Sequence, residues 1–247
     1  MKFLQVYNWS NIKHSVAVKC ILCRGLTTLD QPLCSRCLAL CPVPLCFCPC
    51  CGLPIEESDT GLCSGCLREP PVFDCCLAPF LYQYPVNRIL QMVKYQSRLE
   101  LINPVVVPLA QLLLDHYSDD RWPEVILPVP LHNKRLRERG YDQALLLARA
   151  LQRQLRGVAP RLDDQLLKRV RHTPTQQQLD ANARQKNIRR AFVLRERPAC
   201  KHVAVLDDVV TTGATVSEIT RLLKNSAVER VDIWSIARTP DDQIKAS

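Results

Sequence analysis

Long apolar runs are missing from this sequence of 247 residues. No stretch reaches the roughly 18 consecutive apolar residues that a membrane-spanning helix needs, which excludes such a helix. Residues 1–18 carry polar side chains every few positions and lack the continuous apolar centre of a secretory signal peptide. We therefore expect a cytoplasmic protein.

Glycine and aromatic residues are also scarce, and each shortage narrows the possibilities. Seven glycines are too few for a linker-rich or low-complexity chain. Aromatic side chains make up only 6% of the residues, which leaves few platforms on which the bases of a nucleic acid could stack. Apolar residues account for 47% of the chain, which is enough to build a core.

Cysteine, in contrast, is in excess. Thirteen of the 14 cysteines lie between Cys20 and Cys76. In a cytoplasmic protein, closely paired cysteines are more often metal ligands than disulfides. Four Cys-x-x-Cys pairs have the spacing of two small zinc ribbons, each holding a structural Zn²⁺ with four thiolates. The eight candidate ligands are Cys20, Cys23, Cys34, Cys37, Cys48, Cys51, Cys63 and Cys66.

The allocation of the cysteines stays open at this point. Cys41, Cys46 and Cys50 lie among the pairs and could replace a ligand in the second site. The first pair could join the third pair instead of the second, and disulfides or inert thiols are the alternative to metal. Three further cysteines are expected to be small buried residues: Cys75, Cys76 and Cys200.

Positive charge is concentrated in the second part of the chain. Residues 1–80 hold six basic and six acidic side chains, so the whole formal charge of +9 belongs to residues 81–247. Within that part, residues 134–197 contain 17 basic and six acidic side chains. Such a block suits a polyanionic partner, either a phosphorylated small molecule or nucleic acid. A solvated surface without a partner is the alternative.

Patterns after residue 80 predict alternating helices and strands. Two helices are expected within residues 87–116, separated where Pro104 and Pro108 stand, and further helices at 141–156 and 215–224. Strands are expected at 124–130, 192–194, 202–206 and 230–236, and a connector that becomes a strand at 67–85. The polar segment 168–190 suits a loop or flap. This alternation predicts an α/β domain with a mostly parallel sheet flanked by helices.

Composition and pattern together divide the chain into three parts. Residues 1–19 form a lead-in, residues 20–70 the cysteine module, and residues 71–240 the α/β domain.

The segment Val203–Thr215 carries the clearest sign of chemistry. An apolar strand leads into Asp207 and Asp208, followed by two valines, a turn of threonines and glycine, and a helix. Ligands of open α/β sheets lie at the carboxyl ends of the strands, and amides at the start of the next helix bind anions. Two carboxylates before that turn can accept hydrogen bonds from vicinal sugar hydroxyls. The alternative is a strand ending in a polar turn, with both aspartates capping local amides.

This segment resembles the motif with which phosphoribosyltransferases hold phosphoribosyl pyrophosphate, and the resemblance implies their type I fold. It implies that Asp207 and Asp208 hold the ribose hydroxyls as the catalytic pair. It also implies that Mg²⁺ joins the sugar to the pyrophosphate. The residues that it implies for substrate binding are Val209, Val210, Thr211, Thr212, Gly213, Ala214 and Thr215, with the last five around the 5′-phosphate.

Other stretches resemble the competence protein F family. These are the cysteine module, the run Leu127–Gln143, and the residues Lys94, Arg171, Gln176, Leu179, Arg184 and Asn187, so that the resemblance covers Cys20–Arg238. It implies that residues 128–135 form a loop that grips pyrophosphate, with Lys134 and Arg135 as the candidate ligands. Arg137 and Arg139 carry the same charge but could face solvent or another partner.

Three functions remain from these observations. The first is a Mg²⁺-dependent phosphoribosyltransferase whose acceptor the sequence does not name. The second is a DNA-handling factor, because the competence protein F family is associated with DNA uptake; its partners would be single-stranded DNA and proteins of the uptake machinery. The third is a non-catalytic sensor of phosphoribosyl pyrophosphate. The first two are compatible, and we expect a phosphoribosyltransferase-like protein that serves natural competence or the use of external DNA.

Overall fold

A computed structural model describes residues 17–28, 31–56, 61–117, 122–171 and 188–240. Of the predicted lead-in, only residues 17–19 fall within these ranges, and of the predicted flap, residues 172–187 fall outside them. Gln176, Leu179, Arg184 and Asn187 therefore lie outside the described residues. Within the described ranges, no helix combines the length and the apolar character needed to cross a membrane.

Two small cysteine-rich units come first. In the first unit, β1 (Ala17–Lys19) and β2 (Leu26–Thr28) form an antiparallel hairpin that is followed by α1 (Ser35–Ala39). The second unit ends in another short helix, α2 (Ser64–Arg68). The last three residues of the predicted lead-in thus belong to the first hairpin.

The strands that follow build a parallel sheet. They are β3 (Cys75–Leu77), β4 (Phe80–Leu81), β5 (Val125–Pro128), β6 (Arg161–Leu162), β7 (Leu167–Arg169), β8 (Phe192–Leu194), β9 (His202–Val210) and β10 (Arg230–Arg238). Six of them form one sheet in the order β3-β10-β9-β5-β6, with β4 also on β10, and every pairing in it is parallel. The remaining strands, β7 and β8, pair with each other in the antiparallel direction.

Helices cover both faces of this sheet. They are α3 (Val86–Gln96), α4 (Ile102–His116), α5 (Asn133–Arg139), α6 (Gln143–Gln154) and α7 (Ala214–Lys224). Side chains of β9 alternate between the faces, so that Leu206 packs in one buried cluster with residues of α3, α4 and α6. Val205 packs in a second cluster with Ile219 of α7. The predicted α/β fold with a mostly parallel sheet is confirmed.

The two prolines do not separate the helices at 87–116. The break lies earlier, at Ser97, which has a left-handed φ of 53°, and at a short 3₁₀ turn, Leu99–Leu101. Pro104 is the third residue of α4. At that position the backbone N–H has no partner in the helix, so a proline removes no hydrogen bond. Pro108 removes one hydrogen bond inside α4, but fully buried neighbours such as Leu109 anchor the helix.

Strand β9 is longer than the predicted strand at 202–206. It continues through both aspartates to Val210, because β10 pairs with it as far as Arg238 opposite Val210. The long partner strand holds residues in the sheet that their own polarity would place in a turn. Residues 168–169, predicted as loop, likewise belong to β7, which pairs with β8.

The order of the strands creates a crevice between β5 and β9. The chain leaves β5 towards β6 at one edge of the sheet, whereas it leaves β9 towards β10 on the other side. Such a reversal opens a crevice at the carboxyl ends of the two strands, where ligands of parallel sheets bind. The crevice is therefore where the site is to be sought.

The cysteine-rich units pack onto the sheet. Leu81 N of β4 donates to Pro42 O over 2.9 Å, and Cys37 and Cys41 belong to the same buried cluster as α3 and α4. A side chain on Gly52, whose φ is 69°, would come within 2.9 Å of Cys76 O. Three cysteines are buried as predicted: Cys75, Cys76 and Cys200.

Candidate functional site

The turn between β9 and α7 lies at the carboxyl end of the sheet. Gly213 has a φ of 75°, a left-handed conformation that costs other residues about 1–2 kcal/mol. Its carbonyl accepts the first helical hydrogen bond, from Ser217 N at 2.8 Å. The side chain of Thr212 accepts a hydrogen bond from Ala214 N at 3.4 Å. Glycine thus lets the chain leave the strand and begin α7 within three residues.

Every residue of the predicted binding segment lines one cavity. The cavity has a volume of about 490 Å³, and Asp207 through Thr215 form one of its walls. A second wall consists of residues 129–131, which follow β5, and a third contains Lys94 and Tyr95 of α3. The sequence segment and the crevice between β5 and β9 therefore coincide.

The two aspartates differ in charge. Lys94 Nζ lies 3.3 Å from Asp208 Oδ2, and the Asp208 side chain is only 14% exposed. Although burial opposes ionisation, the charge of Lys94 lowers the pKa of Asp208. Burial, together with the neighbouring charge of Asp208, raises the pKa of Asp207 to about 8. As the pH falls, Asp207 therefore takes up a proton before Asp208 does.

Arginines occupy the wall of the cavity around the end of β5. Arg135 and Arg139 of α5 and Arg169 of β7 all line it. The Arg139 guanidinium lies 5.8 Å from the centre of the Tyr95 ring. Burial, and then the nearby charge of Arg135, lowers the pKa of Arg169. Like charges held this close favour an anion with several negative oxygens.

One of the two predicted pyrophosphate ligands does not reach the cavity. Residues 133–139 form α5, so the expected loop at 128–135 ends at His132. Lys134 is exposed and does not line the cavity, whereas Arg135, the next residue, does. A helix turns by about 100° per residue, which sends neighbouring side chains in different directions. Arg135 therefore lies at the cavity and Lys134 does not, and the binding of pyrophosphate by either residue stays a prediction.

Two polar side chains at the cavity were missed from sequence. Both amide atoms of Gln143 and the hydroxyl oxygen of Thr239 are buried, and within the described chain they have no hydrogen-bond partner. Both residues line the cavity. The preceding residue, Asp142, caps α6 by accepting from Leu145 N and also accepts from Leu131 N. Gln143 belongs to the stretch Leu127–Gln143, but no feature of that stretch distinguishes Gln143 as a lining residue.

The eight paired cysteines form two separate groups. Cys20, Cys23, Cys34 and Cys37 come together, as do Cys48, Cys51, Cys63 and Cys66, and within each group all sulfur atoms lie within 4.8 Å of one another. The crossed arrangement is therefore wrong, and Cys41, Cys46 and Cys50 belong to neither group.

Several observations favour metal over disulfides in these groups. The Cys51 and Cys63 sulfurs are 3.5 Å apart, well beyond the roughly 2 Å of a disulfide bond. Amides point at the sulfurs, as in the 3.4 Å contact from Cys66 N to Cys63 Sγ. Burial opposes ionisation of Cys48, but hydrogen bonds from backbone amides lower its pKa to about 7. Each group could hold a metal ion as four thiolates.

The pairing of Lys94 with Asp208 leads to a test by titration. We expect Lys94→Met to raise the pKa of Asp208, because the variant removes the opposite charge that favours the carboxylate. Carbon-13 NMR of the aspartate carboxyl groups, in an Asp207→Asn background that removes the coupled proton, would measure it. Lys224→Met is the matched control, because Lys224 pairs with Asp74 at 2.9 Å instead. An unchanged Asp208 midpoint in Lys94→Met would contradict this assignment.

A known domain family matches the second part of the chain. The family described as phosphoribosyl transferase domain matches residues 142–246. Among solved structures, hypoxanthine phosphoribosyltransferase from Trypanosoma cruzi in complex with IMP has 16% identity and a TM-score of 0.35, covering 57% of this chain and 76% of that one.

Three relatives match over most of the chain. Competence protein F of Haemophilus influenzae is 35% identical over 231 residues, which is 89% of this chain and 96% of the relative. DNA utilization protein YhgH of Salmonella typhimurium is 34% identical, with the same coverage. Competence protein ComFC of Bacillus subtilis is 25% identical over 78% of each chain. The chain therefore belongs to the competence protein F family, with a phosphoribosyltransferase-type fold behind its two cysteine groups.

Proposed function

We propose that the cavity binds phosphoribosyl pyrophosphate with Mg²⁺ and that the protein transfers the phosphoribosyl group to an acceptor during DNA uptake or the use of external DNA. One observation carries this proposal: the whole segment Asp207–Thr215 lines a cavity whose other walls include four basic side chains, Lys94, Arg135, Arg139 and Arg169. Sugar hydroxyls, a terminal phosphate and a pyrophosphate each have a complementary surface there. The relatives named for competence and DNA utilization support the wider role.

The donors and acceptors of the cavity would divide the ligand between them. Asp207 and Asp208 accept hydrogen bonds from the two ribose hydroxyls, and the amides and hydroxyls of residues 211–215 donate to the 5′-phosphate. Val209 and Val210 join these two regions with backbone groups only. Arg135 and Arg139 face the pyrophosphate, which is the natural partner of guanidinium groups.

The same groups suit phosphoribosyl transfer. In that reaction the bond from the anomeric carbon to pyrophosphate breaks while a bond to the acceptor forms, so negative charge gathers on the departing pyrophosphate. Fixed arginines stabilise that charge without reorganising, and the aspartates hold the sugar in position. Carboxylate oxygens are ligands that Mg²⁺ accepts, and the bound ion would neutralise part of the pyrophosphate charge. The chain itself supplies binding and orientation.

Titration with phosphoribosyl pyrophosphate and Mg²⁺ tests the proposal. We expect saturable binding by isothermal titration calorimetry, and a loss of at least about tenfold in affinity when Asp207→Asn and Asp208→Asn are combined, because the loss of the Asp208 carboxylate alone removes a charge-assisted hydrogen bond worth about 1.5–3 kcal/mol. Asp115→Asn is the control, since Asp115 is exposed on α4 and does not line the cavity. Absence of heat, or equal affinity in the double variant, would refute binding at this site.

Turnover separates an enzyme from a sensor. Release of inorganic pyrophosphate in the presence of a panel of nucleobases and amines is expected for a transferase. Tight binding without release under any acceptor would favour the sensor of phosphoribosyl pyrophosphate.

A second candidate function is the binding of single-stranded DNA. Helix α5 favours it, because Lys134 and Arg137 are exposed while Arg135 and Arg139 turn to the cavity. Further exposed basic side chains lie in the described part of residues 134–197: Arg153, Arg156, Arg161, Lys168, Arg171, Arg189, Arg190, Arg195 and Arg197. A surface of this kind binds phosphates without recognising bases.

Salt dependence tests the DNA proposal. Affinity for a single-stranded oligonucleotide should fall linearly on a log–log plot against salt, with a slope of about −0.7 per phosphate neutralised. Combining Lys134→Gln with Arg137→Gln should make the slope shallower by about 1.4 if each contacts one phosphate. Arg98→Gln, outside the basic block, is the control. A flat response, or an equal change in the control, would oppose direct binding.

We also propose that each cysteine group holds one structural Zn²⁺, so that residues 20–70 form a double zinc ribbon in front of a phosphoribosyltransferase domain at 71–240. Four thiolates in tetrahedral reach are the donor set of closed zinc sites, which stabilise modules too small for a core. Within each group all four sulfur atoms lie within 4.8 Å of one another, which supports this assignment.

Metal content distinguishes the ligands from their neighbours. We expect two zinc ions per chain by inductively coupled plasma mass spectrometry, and one in Cys66→Ser, because three thiolates bind zinc more weakly than four. Cys50→Ser is the matched control, since Cys50 lies between two ligands but outside the group, and it should keep both ions. Loss of zinc in Cys50→Ser would overturn the assignment.

A further inference from the structure

The side chain of Arg238 connects the second cysteine group with the turn after β9. Arg238 is the last residue of β10 and is only 7% exposed. Its Nε donates to Cys51 O at 2.9 Å. One of its terminal nitrogens donates to Val210 O at 3.0 Å and also to Thr211 O. A single planar guanidinium therefore contacts both Cys51 of the second cysteine group and the turn after β9.

We propose that Arg238 is a positioning residue that couples the two sites, so that a metal ion in the group of Cys48, Cys51, Cys63 and Cys66 and a phosphate at the turn each strengthen the binding of the other. This inference rests on the proposed binding of a sugar phosphate at residues 211–215. It adds a link that neither site contains by itself.

The geometry of the peptide gives this contact its effect on the turn. In a trans peptide the C=O and the following N–H point in opposite directions. When Arg238 holds the carbonyls of Val210 and Thr211, the amides of Thr211 and Thr212 are directed away from it. Arg238 does not line the cavity, whereas both threonines do. Arg238 thus supports the turn from behind and fixes the donors that a phosphate would meet.

The metal site would fix the other end of the contact. Cys51 supplies both the thiol of the second group and the carbonyl that Arg238 binds, so a metal ion that immobilises the thiolate also immobilises the carbonyl. The next residue, Gly52, is pressed against Cys76 of β3, which pairs with β10 opposite Ile233. The path from the sulfur of Cys51 to Arg238 therefore runs through packed backbone.

Electrostatics favours the same coupling. Within the described residues Arg238 forms no ion pair with a carboxylate, although a buried cation requires compensation. Part of this compensation comes from four carbonyl oxygens that accept hydrogen bonds from Arg238. They belong to Cys51, Val210, Thr211 and Thr239, the last at 3.1 Å. Four thiolates around one divalent ion carry a net negative charge. When the second group holds an ion, this charge would compensate more of the positive charge of Arg238. In the described chain, no hydrogen bond of Arg238 reaches the group of Cys20, Cys23, Cys34 and Cys37, so the first group serves as an internal control.

Metal release with and without ligand tests the proposal on the full, zinc-loaded chain. A chelator removes zinc, and alkylation of the freed cysteines followed by mass spectrometry identifies the group that has lost its ion. Since binding couplings commonly amount to 5–150-fold, we expect ribose 5-phosphate to slow alkylation of the second group by at least about 5-fold. The first group should be unaffected. Equal protection of both groups would overturn the coupling. It would also be overturned if neither group is protected while calorimetry shows that ribose 5-phosphate binds.

The Arg238→Met variant identifies the residue that carries the coupling. We expect its second group to lose zinc at least about 5-fold faster even without ligand, and ribose 5-phosphate to protect it no longer. Arg230→Met, at the other end of β10, is the control. Unchanged zinc release in Arg238→Met would refute the role of Arg238.

If ribose 5-phosphate does not bind the wild type at all, the proposed phosphate site fails, whereas the ligand-free comparison of Arg238→Met with wild type still decides the link to the metal. Should Arg238→Met not fold, the wild-type comparison of the two groups decides.

Discussion

Strands β9 and β10 run parallel and pair from His202 opposite Arg230 to Val210 opposite Arg238. This long pairing carries both aspartates into the crevice and keeps them in extended backbone until the turn begins. It also brings Arg238 level with Val210, from where its side chain reaches the turn. The cavity, the acidic pair and the support behind the turn all follow from the equal length of these two strands.

Charge in the cavity is unevenly shared, and this suits a ligand with both hydroxyls and phosphates. On one wall, Lys94 favours the ionised form of Asp208, while burial and the charge of Asp208 raise the pKa of Asp207. On another wall, Arg135 and Arg169 stand close enough to influence one another. Because the walls do not neutralise each other, the cavity keeps an electrostatic preference that a phosphorylated sugar and a divalent cation would satisfy together.

Sequence indicated the part of the site that is continuous in the chain. Residues 207–215 were recognisable because one strand, one turn and one helix start follow each other directly, and the cysteine pairs were recognisable from their spacing. Lys94 was noted only through resemblance, and its partner Asp208 lies 114 residues away. Gln143, Thr239 and Arg238 reach the site through the order of the strands, which no local pattern encodes.

The errors have the same physical origin. Strand β9 was predicted to end at Leu206 because polar residues follow, but pairing with β10 outweighs that local preference. A break was predicted at Pro104 and Pro108, although burial of one face of α4 maintains the helix across them. The sequence alone does not distinguish Lys134 from Arg135, because the direction of each side chain depends on how the helix that carries them is placed. In each case tertiary packing decides between alternatives that are locally similar.

The contact between Leu81 and Pro42 also bears on how one edge of the sheet is covered. The edge of the sheet beyond β10 consists of two short pieces, β3 and β4, and the cysteine-rich units lie against it. At the opposite edge, β6 has two residues. Open edges invite strands of other molecules to add to a sheet. Moving the cysteine-rich units away would uncover this border and leave it as a template for self-association.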